Sequence, residues 1–354
     1  MIVPLVTVLI TTYNYGQFVE QAIDSVLSQD FLPDKIQILV VDDGSTDDTS
    51  ERIKKYGSRI EYFYKPNGGQ ASALNFGIAK ARGEIIALLD ADDLFLPGKL
   101  ARIAEAFQKD PALGMVYHRF QEWHVQTGER REYTFVPISG DFRTVPHFFL
   151  RYHPMATSCT SYRRTSLEPL LPIPEGIRML ADGYFVLLIP FLSHVLAISE
   201  FLAVYRLHGE NSFYADDRQM PTETRKSRLQ KWQVLMEAMR KWLADNCYTR
   251  KQQPVRNFLD RWTLYVLETQ FRIAPPGRLR FFLFLIQQNH AFRSLQTWRL
   301  TLFNYFYAPC ALLLGYSRAD QLYRWRGRTM KAMERAIRTI SPARRNAGPS
   351  RTAE

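Results

Sequence analysis

Ile36-Gln37-Ile38-Leu39-Val40-Val41, running on into Asp42-Asp43-Gly44-Ser45, is an apolar segment that ends in two carboxylates and a turn. A run this rich in Ile and Val reads as a strand buried on both faces, as in parallel sheets. Its neighbours extend the pattern. Val6 to Thr11, Ile60 to Tyr64 and Ile85 to Leu89 are further strands, and helical patterns lie between them at Phe18 to Gln29, Thr46 to Tyr56 and Ala71 to Ala81. In the first of these, Val19, Ala22, Ile23, Val26 and Leu27 recur at helical spacing. Strands alternating with helices predict an α/β fold, a mainly parallel sheet flanked by helices. Ligands of such sheets bind beyond the carboxyl ends of the strands.

Three strand ends carry distinctive residues: Thr11-Thr12-Tyr13-Asn14, Asp42-Asp43-Gly44-Ser45 and Asp90-Ala91-Asp92-Asp93. Carboxylates are poor strand residues and costly to bury unpaired. Two acidic clusters at one sheet edge repel each other unless a positive group sits between them, and a divalent cation chelating a diphosphate meets that need. Magnesium uses one or two carboxylates plus phosphate oxygens, and manganese takes similar ligands. In Asp-x-Asp, alternate residues leaving a strand point the same way, so one carboxylate can reach a ribose while the next reaches the metal. The plainer reading of either cluster alone is a helix cap or an Asx turn, and Asp43 to Asp47 would cap the helix that follows.

Taken together, these motifs resemble glycosyltransferase family 2 of the GT-A superfamily. The resemblance rests on Val8-Leu9-Ile10-Thr11-Thr12-Tyr13-Asn14, Ser25-Val26-Leu27-Ser28-Gln29, Val41-Asp42-Asp43-Gly44-Ser45, Ala79-Lys80-Ala81-Arg82-Gly83-Glu84 and Leu89-Asp90-Ala91-Asp92-Asp93-Leu94-Phe95-Leu96-Pro97. It covers about residues 5 to 213 and implies a GT-A fold. It also implies an inverting, metal-dependent enzyme (Mg2+ or Mn2+) that moves a sugar from a nucleotide-sugar donor, UDP-linked as a rule, to a glycan or lipid-linked acceptor in cell-envelope polysaccharide or glycoconjugate synthesis. By that resemblance Thr11, Tyr13 and Asp43 contact the base, Asp42 shapes the turn, Asp90 with Ala91 contacts the ribose, and Asp92 and Asp93 face metal and diphosphate. Gly69, before the third helix, permits close backbone approach to the ligand, and Asn75 on that helix is a further nucleotide contact. Arg206 is expected at the diphosphate and His208 at the metal.

Inversion needs a general base to take the acceptor's proton. The family places a carboxylate at the start of a helix for this, in an acidic pair followed by an aromatic-aliphatic pattern. Met179-Leu180-Ala181-Asp182-Gly183-Tyr184-Phe185-Val186 resembles that element and makes Asp182 the base, although Ala181 replaces the first acid and Gly183 lowers helix propensity. Pro154 to Cys159, leading to Tyr162-Arg163-Arg164, resembles the strand that lines the acceptor side.

The middle of the chain reads as a helix over Leu100 to Phe107, a strand over Gly114 to Tyr117, a polar hairpin from Gln121 to Phe142, a helix over Leu180 to Leu192 and a strand over Val195 to Val204. Residues 1–215 are assigned to the GT-A domain, 216–340 to a basic, aromatic-rich helical extension, and 341–354 to a disordered tail. The extension reads as helices over Arg225 to Leu243, Val255 to Phe271 and Arg278 to Asn289. Charge divides along the same line. Residues 1–219 hold 21 Lys and Arg against 27 Asp and Glu, whereas 220–354 hold 25 against 8. That basic half, with the uncharged Leu300 to Tyr316 flanked by arginines, suits either a packed helical subdomain or contact with an anionic membrane surface. Three scattered cysteines fit a reducing cytoplasm. No basic stretch followed by an apolar core opens the chain, so a cytoplasmic enzyme, peripheral at the membrane face, is expected.

Three other classes compete. A dinucleotide oxidoreductase would need a Gly-x-Gly-x-x-Gly turn after the first strand, where Thr11 to Gly16 offers none. A nucleic-acid partner would rest on the basic half alone and is not expected. A non-catalytic nucleotide-sugar or glycan-binding protein is the alternative that Ala181 permits.

Overall fold

The computed structural model describes residues 5–133, 135, 137–143, 145, 148, 156–209, 211, 221–292, 309, 313 and 318. These fall into two compact units, divided between Thr269 and Gln270. The expected tail at 341–354, the contacts of Leu300 to Tyr316, and Pro154 and Met155 lie outside the described residues.

The first unit is built on strands β1 (Val6–Thr12), β2 (Ile36–Asp42), β3 (Glu61–Tyr64), β4 (Ile85–Asp90), β5 (Leu94–Phe95), β6 (Leu113–His124), β7 (Arg130–Tyr133), β8 (Thr160–Arg163) and β9 (His194–Leu207). They form one sheet in the order β3-β2-β1-β4-β8-β6-β9-β5, with β7 paired to β6. The first four strands in that order are parallel, as the apolar runs predict. Beyond β4 the sheet is mixed, because β8 runs antiparallel to both β4 and β6 while β6 and β9 are parallel. The hairpin expected from Gln121 is β6 turning into β7, with Phe120 opposite Tyr133.

Helices α1 (Gly16–Leu27), α2 (Thr49–Ile53), α3 (Gln70–Lys80), α4 (Lys99–Lys109), α5 (Arg164–Leu167), α6 (Ala181–Leu192), α7 (Thr222–Asp245) and most of α8 (Gln253–Ile273) accompany this sheet. The second helix is shorter than its pattern: it gives way to 3-10 turns over Lys54–Arg59, where Gly57 takes φ 52. Side chains alternate across the strands and fill two cores. Val8 and Ile10 join α1 and α4 on one face, while Leu9 joins α3, α6 and α7 on the other. The α7 helix is tied to the sheet domain by Leu235, Met236 and Met239, all buried, and by the Trp242 indole, which donates to the Pro169 carbonyl at 3.0 Å. In the second unit, α9 (Arg278–Phe292) buries Phe281, Phe284 and Leu285 and leaves Leu279 and Leu283 exposed. No described helix is long and apolar enough to cross a membrane.

One polar residue inside this frame was not legible as such. Lys99, the first residue of α4, is fully buried; its ammonium donates to the Ser158 carbonyl at 2.6 Å and lies 3.5 Å from the centre of the Phe95 ring. Burial lowers its pKa from the ordinary 10.5 to about 7, against the opposing fields of Cys159 and Asp93. Between those values the unfolded chain holds the extra proton, so stability rises with pH across that window. Lys99→Met should remove that rise. Urea midpoints at pH 7 and pH 9 should separate for the native chain and coincide for the variant, and parallel behaviour would place the ammonium in water.

Candidate functional site

The parallel register decides where the acidic segments meet. Thr12 of β1 lies opposite Asp42 of β2, and Thr11 lies opposite Asp90 of β4. The three strand ends therefore open at one edge, where they form a wall of a cleft of about 890 Å³. Thr11, Tyr13, Asp43, Asp90, Ala91 and Asp92 line that wall, Gly69 lines the next, and Asp182 faces them from the start of α6.

The turn after β2 is built by its own carboxylates. Asp42 accepts the Ser45 amide at 2.7 Å and the Tyr62 hydroxyl at 2.8 Å, which fixes the bend. Asp43 does not cap the following helix. It accepts the Gly68 and Gly69 amides at 3.0 and 2.7 Å and pairs with Lys65 at 2.6 Å, so it ties the second strand end to the loop before α3. Gly69 has φ 88, and a Cβ there would lie 2.8 Å from the Arg178 Cα. Only glycine fits at that crossing.

The Asp90 to Asp93 segment bends around a single serine. The Ser158 hydroxyl donates to Asp93 at 2.6 Å and accepts the Asp90 amide at 3.1 Å, while its carbonyl holds Lys99. Carboxylate oxygens of Asp90, Asp92 and Asp93 come within 4.8 Å of one another. Burial raises the Asp90 pKa well above the usual carboxylate range, and the charges of Asp92, Asp93 and Asp182 raise it further. Asp93 is raised mainly by burial, then by Asp92, with Ser158 and Arg206 acting the other way. Three oxygen-donor side chains this close together suit a hard divalent cation. Asp92 lines the cleft, whereas Asp93 is fully buried behind it with both oxygens already accepting hydrogen bonds, from Ser158 and from the Arg206 amide.

Three expected contacts are placed elsewhere. Arg206 is 1% exposed and does not line the cleft; its guanidinium bonds the Asp92 carbonyl, the Gln21 side chain and the Phe18 carbonyl, bracing the acidic turn from beneath. His208 stands outside the converging carboxylates: its Nε2 lies 3.0 Å from an Asp92 oxygen and its ring is held between Tyr15 and Phe18, so it orients Asp92. Asn75 is not a cleft residue either. Its amide pairs both ways with the backbone of Ile173, at 2.9 and 2.8 Å, and clamps the loop that leads to α6.

Asp182 sits in the first turn of α6, after Leu180 at φ 65, a left-handed conformation rare for leucine. Gln70 accepts the Ala181 amide at 2.9 Å and joins this turn to α3. Burial raises the Asp182 pKa, while hydrogen bonds from Thr157, the Gly183 amide and Gln70 pull it back. Thr157 acts likewise on Asp90, so the two carboxylates compete for its single hydroxyl proton. Thr157 and Ser158 fall in the segment the resemblance set on the acceptor side, and Gln70 follows Gly69, but none was given a role of its own, since their partners lie far along the chain. A Cβ at Gly183 would lie 3.0 Å from the tip of the Leu235 side chain of α7, which would have to give by a few tenths of an ångström.

A family profile described as Glycosyl transferase family 2 matches residues 7–171. An uncharacterised glycosyltransferase of Nostoc sp. is 36% identical over 219 residues, 58% of this chain and 66% of its own. One of Rickettsia typhi is 46% identical over 97 residues, 27% and 30% of the two chains. The chain thus spans just under two thirds of the first relative and under a third of the second. Among solved structures, S. aureus TarS residues 1–349 in complex with UDP superposes with a TM-score of 0.57 at 16% identity, covering 90% of this chain and 91% of that one. The mannosyltransferase PcManGT of Pyrobaculum calidifontis, in complex with GDP-Man and Mn2+, gives 0.52 at 18% identity, covering 96% and 88%. Those likenesses carry the fold, and the sequence matches carry the family: through residues 7–171 the chain belongs to glycosyltransferase family 2.

Proposed function

We propose that this chain is an inverting glycosyltransferase that moves a sugar from a nucleotide-sugar donor, UDP-linked in the first instance, to a hydroxyl of a glycan or lipid-linked acceptor. The observation that carries this reading is the convergence of Asp43, Asp90, Asp92 and Asp182 on one cleft at the carboxyl edge of parallel strands. The nucleoside lies along Thr11, Tyr13 and Asp43, with the ribose at Asp90. Neighbours of the same fold were solved with UDP and with GDP-Man, which fits a diphosphate at this edge. Asp92, with Asp93 behind it, would hold Mg2+ or Mn2+, which when bound neutralises charge on the leaving diphosphate.

Asp182 then takes the proton of the attacking hydroxyl. The new bond joins that oxygen to the anomeric carbon as the bond to the diphosphate breaks on the opposite face, so no covalent enzyme intermediate arises. Burial suits the role, because it raises the basicity of the carboxylate relative to one in water. Thr157 acts against that rise and so favours the ionised form.

Donor turnover in the presence of Mn2+ tests this reading. Asp182→Asn should lower kcat by about a hundredfold or more, within the usual range for a general base, while UDP still raises the melting temperature as it does for the native chain. Unchanged turnover removes Asp182 from the role, and absence of any nucleoside diphosphate effect removes the donor site. Turnover should also fall at acid pH, as Asp182 becomes protonated. Thr157→Val removes a hydrogen bond that favours the ionised form, so the acid limb of kcat should move to higher pH; a limb that stays in place separates Thr157 from the base.

A further inference from the structure

Helix α9 has one face packed and one face bare. Phe281, Phe284 and Leu285 are buried, and Phe271 meets the Phe284 ring edge-on with centres 5.0 Å apart. On the opposite side Leu279 and Leu283 are 63% and 57% exposed, and Phe282 and Ile286 beside them are only half-buried. One exposed leucine on a protein surface needs no explanation. Four apolar residues spaced i, i+3, i+4 and i+7 are different, because they form a continuous stripe along one side of a helix. Leu313, in the same unit, is exposed as well.

The charges around this stripe have one sign. At about 100° per residue, Arg278 and Arg280 fall on either side of Leu279, and α9 contains no Asp or Glu. Residues 270–354 together hold 15 Lys and Arg against 3 Asp and Glu. The 15 residues of α9 span about 22 Å, short of the roughly 30 Å hydrocarbon core, so the helix can lie along a bilayer but not cross it. A nucleic acid would match the arginines and leave the leucines in water. A lipid surface matches both. We propose that α9 docks on an anionic bilayer, with Leu279 and Leu283 at the acyl boundary and the arginines among the headgroup phosphates. Packed subdomain and membrane contact are then two faces of one helix. This concerns where the chain sits and stands apart from the transferase reading.

Co-sedimentation of the full chain with phosphatidylglycerol vesicles is the test, with phosphatidylcholine vesicles and poly(U) RNA as separate arms. The chain should bind phosphatidylglycerol about tenfold or more tightly than phosphatidylcholine, and high salt should weaken that binding. Leu279→Gln with Leu283→Gln removes the stripe without touching the arginines and should weaken vesicle binding by about tenfold or more. Leu279→Ile with Leu283→Ile keeps the stripe and should keep the binding. No binding to phosphatidylglycerol, binding that the glutamine pair leaves unchanged, or tighter binding to RNA than to the vesicles overturns the proposal. Both positions are exposed, so thermal melts of the two variants should match the native chain and exclude misfolding as the cause of a loss. UDP with Mn2+ should stabilise the glutamine pair as it does the native chain, so docking and donor binding can each fail alone.

Discussion

Repulsion among carboxylates at one sheet edge is the constraint around which this molecule is arranged. Parallel register brings Asp42 level with Thr12 and Asp90 level with Thr11, and no side-chain choice elsewhere can separate them. The protein answers with donors rather than with exposed cations. Backbone amides of Gly68 and Gly69 take Asp43, the Ser158 hydroxyl takes Asp93, and Arg206 braces the turn through its carbonyls. Asp90 and Asp92 are left facing the cleft with like charges behind them. Such an edge stores unfavourable electrostatic energy that a bound cation or a protonated carboxyl relieves.

Holding that arrangement takes segments distant in the chain. Ser158 and Thr157 come from the turn before β8, His208 from the residue after β9, and Lys99 from α4. Each contributes through a contact over more than fifty residues of sequence, and each makes the geometry of the acidic turn depend on the whole sheet. The mixed half of the sheet serves the same end. Because β8 runs antiparallel to β4, the turn preceding Thr160 arrives beside the carboxyl end of β4, where Thr157 and Ser158 are needed.

The parallel half of the fold was legible because its strands are continuous apolar runs with acidic ends, a pattern that no surface strand shares. The short strand Leu94–Phe95 was not, since two residues carry no period, and neither was the burial of Lys99, since a lysine at a helix start ordinarily points into water. The acidic strand ends placed Asp43, Asp90 and Asp92 at one edge and the family resemblance added Asp182, but neither could rank their neighbours. Arg206, His208 and Asn75 all carry groups suited to a phosphate or a metal, yet each is spent on the frame: the carbonyls of the acidic turn, the Asp92 carboxylate and the Ile173 backbone. Local sequence reports chemical type; which partner claims a group is decided by tertiary packing.

The departure at Ala181 follows from that packing. Ala181 is fully buried in the apolar cluster that includes Phe185, Leu235 and Met239, and its amide is already committed to Gln70. A carboxylate at 181 would enter that cluster unpaired, at a cost of several kcal/mol or a neutralising pKa shift. Gly183 lets Leu235 approach the same turn from α7. Both residues that flank Asp182 thus border α7: Ala181 shares its buried cluster and Gly183 lies against Leu235. The same docking brings Trp232 and Val234 to the cleft wall, beside Ser227, Gln230 and Lys231 of the same helix.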